Sequence, residues 1–287
     1  MQSSRSELPL ISSRRNPLVR RLRSLGTRQG RLEEGNLLLE GTHLLQELLG
    51  VVSGPFDLIA SELWLDRHPH LSDRLPRGSR IQPVSEDVLK AALSTVNPDG
   101  VASVVPLTVL PQVPVVADFL LVLDRLQDPG NLGSLLRTAL AADVQSVLLA
   151  SGADPLSAKV LRASAGAMLQ LPFRRFGPSE SEAIEQLSDE LRQLVAAGVQ
   201  VVATLVPDAT GPLRPMAYWE LDWTRPTALV LGTEGAGLHP RLQACCSHAV
   251  TLPHSDRVES LNVAAAAVPL LLERRRATMT ATSQQSG

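Results

Sequence analysis

Three loops of this chain carry the residue types from which a binding or catalytic site is built. The first, Asp124 to Ala139 (DRLQDPGNLGSLLRTA), follows an apolar strand and sets Asn131, Gly133 and Arg137 at a helix start. Arg137 falls one turn beyond Gly133 on the same face. The pattern suits orientation of a polar substrate, and it equally suits a plain strand-to-helix turn with a solvated arginine. The second loop, Leu229 to Leu238 (LVLGTEGAGL), gathers Gly232, Glu234 and Gly237. Its spacing is GxxGxG rather than GxGxxG and no Lys-Ser/Thr follows, so it departs from dinucleotide and phosphate loops. The third, Leu252 to Ala267 (LPHSDRVESLNVAAAA), puts Ser260, Leu261 and Asn262 at a helix start, where serine usually caps. Ligands of open α/β sheets collect beyond the carboxyl ends of strands, which makes these loops the expected site.

The elements that must position them alternate strand and helix. In the second half, strands are expected at Phe119–Leu123, Ser146–Ala150, Val199–Thr204, Ala228–Leu231 and Ala249–Leu252. Helices are expected at about Leu132–Ala142, near Ser157–Met168, over Ser179–Ala197, and from near Ser260 onward. Short continuous apolar strands separated by helices predict a mostly parallel sheet covered on both faces. The first half reads as a basic helix over Asn16–Gln29, strands at Asn36–Leu39 and Phe56–Ala60 flanking a helix at Thr42–Leu49, a loop over Asp66–Gly78, a short helix at Ser85–Leu93, and a strand at Val101–Val109. The expected organisation is a mobile N-terminus (1–13), a first domain (14–110), a proline-punctuated linker (111–117), a second domain (118–276) and a disordered tail (277–287).

Composition narrows the function classes. The chain has 287 residues, 44% hydrophobic and 20% charged, enough for two domains with real cores. Its longest apolar stretch, Val263 to Leu272, is about half the ~20 residues that cross a bilayer and contains Pro269. The first thirty residues hold no apolar signal region, so a cytoplasmic protein is expected. Cys245 and Cys246 are adjacent, which fits neither a disulfide framework nor a zinc pattern, and the histidines are scattered, so no metal is expected. The net charge of -2 hides an asymmetry: Met1 to Glu34 carries eight arginines against three acids. Guanidinium groups pair with phosphate bidentately, which marks Arg14, Arg15, Arg20, Arg21, Arg23 and Arg28 as candidate RNA contacts. An arginine-biased genome composition, or an organelle transit peptide, would produce a similar imbalance.

Taken together and in order, the loops resemble the SpoU (TrmH-like) branch of the SPOUT methyltransferases, which transfer a methyl group from S-adenosylmethionine to a ribose 2′-hydroxyl of RNA. Asn131, Gly133 and Arg137 match the family's N-x-G-x-x-x-R motif, Gly232, Glu234 and Gly237 its G-x-E-x-x-G, and Ser260, Leu261 and Asn262 its SLN signature. Near the N-terminus, ISSRRNPLVRRLRSL followed by LLLEGTHLLQELL is similar to the family's small RNA-binding domain, an α/β fold like that of a ribosomal protein. The resemblance implies a C-terminal α/β domain whose parallel sheet is threaded into a deep trefoil knot, and a homodimer. It also implies cofactor contacts at Leu205, Gly232, Gly237, Leu252 and Leu261, largely through backbone groups, and a catalytic set of Arg137, Asn131, Glu234, Ser260 and Asn262. Large-subunit rRNA is the expected substrate.

The chain departs from the family pattern at Leu252, Pro253, His254, Asp256 and Ala264, and Pro269 is expected to kink the last helix. His254 and Asp256 lie where the family needs no proton-transfer group, and are read as solvated loop residues. Three other functions remain open on these residues: a tRNA 2′-O-methyltransferase, a catalytically inactive RNA-binding factor on the same fold, and a nucleotide-dependent oxidoreductase using the Gly232 loop. The last lacks the acidic ribose partner about twenty residues on.

Overall fold

The computed structural model describes residues 8–285 apart from 208, 210, 211, 234, 235 and 259, with side chains to residue 280. In chain order the elements are α1 (Pro17–Leu25), α2 (Arg28–Glu34), β1 (Asn36–Glu40), α3 (Thr42–Val51), β2 (Asp57–Ala60), α4 (Glu62–Arg67), α5 (Pro69–Ser72), β3 (Arg80–Pro83), α6 (Glu86–Ala92) and β4 (Val101–Pro106). They continue as β5 (Phe119–Leu123), α7 (Pro129–Ala141), β6 (Ser146–Leu149), α8 (Ala158–Ala163), β7 (Phe173–Arg175), α9 (Glu180–Ala196), β8 (Gln200–Thr204), β9 (Met216–Ala217), β10 (Thr227–Leu231), α10 (Pro240–Gln243), β11 (His248–Thr251) and α11 (Val263–Gln285). Two compact units result: residues up to Leu110 with Asp154–Gln170, and Pro111–Ala153 with the chain from Leu171 on. The segment 154–170, read from sequence as part of the second domain, thus packs with the first.

In the first unit a four-stranded sheet of order β1-β4-β2-β3 pairs antiparallel except between β2 and β3. The single basic helix expected over 16–29 is two. Asn16 caps α1, its side chain accepting from the Leu18 amide at 2.9 Å; Thr27 then caps α2 by accepting from Gly30, because a threonine hydroxyl can satisfy a free helix-start N–H. Val19, Leu22 and Leu25 are the buried stripe of α1, packed with Val88 and Leu89 of α6 and with Leu38 and Val104 of the sheet. Further points differ from the sequence reading, β3 among them, where no strand was expected. Ile11 lies in the stretch expected to be mobile, yet its amide donates to the Pro83 carbonyl at 3.1 Å, and the Asp66–Gly78 loop contains part of α4 and all of α5.

The second unit holds a seven-stranded sheet of order β7-β6-β5-β10-β8-β11-β9, parallel at every pairing. Strands β5 and β10 are buried along their whole length, which is why their sequences are continuous apolar runs rather than alternating ones. β7 and β9 were not foreseen; three and two residues are too few to carry a period. α7 starts at Pro129, three residues before the expected Leu132, because Asp128 caps it and proline is preorganised at the first helical position. α11 runs to Gln285, through Pro269 and through most of the stretch read as a disordered tail. Arg274, Arg275 and Arg276 therefore sit mid-helix rather than at its end. Arg274 is buried, with its guanidinium 5.5 Å from the Phe119 ring centroid, and burial lowers its pKa.

Candidate active site

Because the second sheet is parallel, the loops after β5, β8, β10 and β11 emerge on one edge. Three of them, with the first turn of α11, enclose a cavity of about 660 Å³ lined by Thr204, Leu205 and Val206 after β8, by Leu231 to Thr233 and Ala236 to Leu238 after β10, and by Thr251, Leu252, His254, Ser260, Leu261, Val263 and Ala266. Leu205, Gly232, Gly237, Leu252 and Leu261, the five cofactor contacts implied by the family resemblance, all stand in this wall.

Local chemistry explains how these loops hold their shape. The chain turns back after β10 so that Thr233 and Gly237 exchange backbone hydrogen bonds of 3.1 and 3.0 Å. A Cβ on Gly232 would run into the backbone of Gly237 and Leu238, and Gly237 itself has φ +64, so both glycines are required by the turn. Asp124, fully buried at the end of β5, accepts from the His239 amide at 2.8 Å and grips Arg125 through both oxygens. Arg125 has φ 53, a left-handed conformation that costs a non-glycine residue about 1–3 kcal/mol. The Asp124 bond raises the Arg125 pKa and offsets that cost. Sequence reasoning assigned Asp124 no role, although it is the first polar residue after an unbroken apolar strand.

The polar motif residues meet at two helix starts. Asp128 caps α7, accepting from the Asn131 amide at 2.7 Å. Asn262, not Ser260, caps α11: its Oδ1 accepts from the Ala264 and Ala265 amides at 3.0 and 3.2 Å. The Asn262 Nδ2 donates to Asn131 Oδ1 at 3.0 Å, joining two motifs 131 residues apart. Ser260 is exposed at the cavity rim. Arg137, just under two turns along α7 from Asn131, is exposed and has no hydrogen-bond or ion-pair partner among the described residues. Glu234, expected in the catalytic set, lies outside the described residues.

A small molecule with polar groups for two hydroxyls and for loop backbone suits this cavity. Its volume falls within the ~300–1,000 Å³ typical of small-molecule sites. Thr204 Oγ1 and Thr251 Oγ1 are buried in its wall with no partner among the described residues, and buried hydroxyls call for one. These threonines were missed because nothing in a β-strand sequence tells which hydroxyl faces a void. His254 lines the cavity too, with Nδ1 donating to the Leu252 carbonyl at 2.7 Å.

The arginines expected to contact RNA divide into two groups. Arg21 is paired with Glu34 at 2.8 Å and lies 3.7 Å from Asp57; the Arg23 Nε donates to the Ala91 carbonyl at 2.6 Å; exposed Arg14 pairs with Asp87 at 2.8 Å. Arg15, Arg20 and Arg28 are exposed, their side chains without partners among the described residues. Arg31, which contributed to the basic count, is 2% exposed and held by Asp154 and the Leu25 and Gly26 carbonyls. Among the described residues there is no cluster of three potential metal ligands, and no helix long and apolar enough to cross a membrane.

The sequence profile of the SpoU rRNA Methylase family matches residues 118–271, and that of an MRM3-like substrate binding domain matches residues 16–103. Among curated proteins, an uncharacterised tRNA/rRNA methyltransferase of Synechocystis is 42% identical over 94% of this chain and 95% of its own. A 23S rRNA (guanosine-2′-O)-methyltransferase of Bacillus subtilis is 30% identical over 92% of this chain and 98% of its own. Among solved structures, an AdoMet-bound rRNA methyltransferase from Sinorhizobium meliloti aligns with a TM-score of 0.75 at 28% identity, over 93% of this chain and 97% of that one. With both of its halves matched, two of its motif loops lining one cavity and the third tied to them by the Asn131–Asn262 bond, the chain belongs to the SpoU rRNA methylase family of S-adenosylmethionine-dependent RNA methyltransferases.

Proposed function

We propose that this protein methylates a ribose 2′-hydroxyl in structured RNA, with large-subunit rRNA as substrate. The observation that carries the reading is the Asn262–Asn131 hydrogen bond. It ties the helix bearing Arg137, whose side chain has no partner among the described residues, to the residue next to cavity-lining Leu261. S-adenosylmethionine, when bound, supplies an activated methyl group on its sulfonium. Leu205, Gly232, Gly237, Leu252 and Leu261 would hold it, mainly through backbone groups, while Thr204 and Thr251 offer it two hydroxyls.

What the chain itself must do is hold the ribose in line and ease the loss of the hydroxyl proton. Positioning of this kind contributes ~7–11 kcal/mol in the best cases. A guanidinium stays protonated at physiological pH and makes a poor general base. Arg137 accordingly steers the ribose and an adjacent phosphate and stabilises the charge developing on the 2′-oxygen as its proton passes to solvent water. Asn131 and Asn262 orient the start of α7, Ser260 shapes the rim, and Glu234 belongs to the set by its motif position alone. Arg15, Arg20 and Arg28 supply phosphate contacts from the substrate-binding unit.

The family's trefoil knot is consistent with a pocket made from the loops after β8, β10 and β11. A homodimer is supported by Val268, Leu272 and Met279 on α11, exposed at 39%, 42% and 60%. A cytoplasmic location accords with an rRNA substrate. The test is transfer of labelled methyl to unmodified total RNA by the wild type and by Arg137→Ala, with mapping of alkali-resistant sites. Incorporation at one rRNA position, lost in the variant, is expected. Incorporation into tRNA would replace the substrate, and cofactor binding without incorporation into naked or ribosomal RNA would favour a catalytically silent RNA-binding factor.

A further inference from the structure

We propose that Arg31 is a positioning residue for methyl transfer, acting through Asp154 on the loop that presents Asn131. The inference rests on the methyl-transfer reading above. It starts from a buried charge that RNA cannot reach. The Arg31 guanidinium, 2% exposed, donates to the Leu25 carbonyl at 3.2 Å, to the Gly26 carbonyl at 3.3 Å, and to Asp154. Its carbonyl partners belong to the α1–α2 corner, the most basic part of the substrate-binding unit. Its carboxylate partner is the first residue of the segment 154–170, which the chain inserts into that unit between β6 and β7 of the catalytic sheet.

The residue before Asp154 is fastened to the catalytic loop. The Ala153 amide donates to the Leu126 carbonyl at 2.7 Å. Arg175 clamps the same backbone, donating to the Gly152 carbonyl at 2.9 Å and the Ala153 carbonyl at 3.3 Å. Gly152 has φ +118, and a Cβ there would run into the Leu126 carbonyl, so this approach admits only glycine. Leu126 stands two residues before Asp128, which caps α7 through the Asn131 amide. From the α1–α2 corner to Asn131, every link is a hydrogen bond, an ion pair or a short run of peptide bonds. Polar networks of this kind restrict each member's geometry when all are satisfied. The second clasp of the segment, Arg162 on Glu40 at 2.8 Å, is eight residues further along and has no such path to Leu126. It therefore serves as a control.

The test uses the full chain, with single-turnover methyl transfer at saturating RNA and hydrogen exchange followed on peptides covering Leu126 to Asn131. Arg31→Gln and Asp154→Asn should each slow transfer on the order of tenfold to a hundredfold, the range that misplacement remote from the chemistry produces. S-adenosylmethionine affinity should be unchanged, and the double variant no slower than either single one, since residues in one network are not additive. Exchange at 126–131 should rise in both variants, and Arg162→Gln should alter neither readout. Where loss of Arg31 unfolds the substrate-binding unit, Asp154→Asn at a partly exposed side chain carries the test alone. Wild-type transfer rates in both variants, with exchange changes confined to α2 and 154–170, would overturn the proposal. Should the wild type transfer no methyl at all, the methyl-transfer reading fails, and exchange at 126–131 alone decides whether the link exists.

Discussion

Four arginines of the α1–α2 corner and Arg137 of α7 share one chemistry and are used in opposite ways. At the corner, Arg14, Arg21, Arg23 and Arg31 are engaged by Asp87, Glu34, the Ala91 carbonyl and Asp154. On α7, the guanidinium faces solvent with no partner among the described residues. The contrast teaches that a basic stretch is not a uniform phosphate comb. An exposed pair such as Arg14–Asp87 is worth only ~0–1 kcal/mol, so RNA can compete for it. Arg31 is 2% exposed and held by Asp154 and two carbonyls, so it is committed to the fold. For the same reason, deleting residues 1–34 would not isolate RNA contacts, because it also removes the buried Val19, Leu22 and Leu25.

The largest expected effect lies on the unpartnered side of this contrast. Arg137→Ala should lower single-turnover transfer by roughly 100- to 1,000-fold, the usual loss when one stabilising donor is removed from developing charge, with equilibrium S-adenosylmethionine binding unaltered. Near-normal transfer by Arg137→Lys would remove the case for a guanidinium there. Gly232→Ala should act on the cofactor instead. Forcing a methyl into that backbone contact costs ~1–3 kcal/mol, roughly a ten- to hundredfold loss of affinity by calorimetry.

On the basic side, replacing Arg15, Arg20 and Arg28 together by glutamine should flatten the slope of log affinity against log salt by about 2, given ~0.7 per phosphate contact on single strands. An unchanged slope would show that the unpaired arginines of the corner do not touch RNA. Arg21→Gln, by contrast, should leave that slope alone. The smallest effect concerns Cys246, whose burial pushes its thiol up to about 12. A raised acid pKa favours the neutral folded form, so its contribution is complete below ~8.5, the unfolded value, and is lost as pH rises from there toward 12. Urea unfolding should show the wild type losing more stability than Cys246→Ala between pH 8 and ~10.

Much of the second unit was legible because its signals are local. Continuous apolar runs marked β5, β8 and β10, and the resemblance carried by the three motifs implied contacts at Gly232, Gly237, Leu252 and Leu261, which line one cavity wall. Legibility ended where an element was too short for a period, as in β7 and β9, or where capping chose between neighbours. Thr27 divides the basic helix, and Asn262 rather than Ser260 starts α11. α11 continues to Gln285, where composition suggested a loose tail.

By itself the sequence determined where the main apolar strands of the second unit lie and which residues form each motif, since these depend on neighbours a few positions away, and the order of the motifs along the chain gave the family. Only the tertiary structure decided which arginines are spent on the fold, which hydroxyls of Thr204 and Thr251 are left facing the cavity, and that Asp154 belongs with Arg31. Those outcomes depend on partners such as Asn131 and Asn262, or Arg31 and Asp154, that are 131 and 123 residues apart. A hydrogen bond or ion pair acts over a few ångströms of space, and chain spacing alone carries no record of which distant groups the packed core brings within that reach.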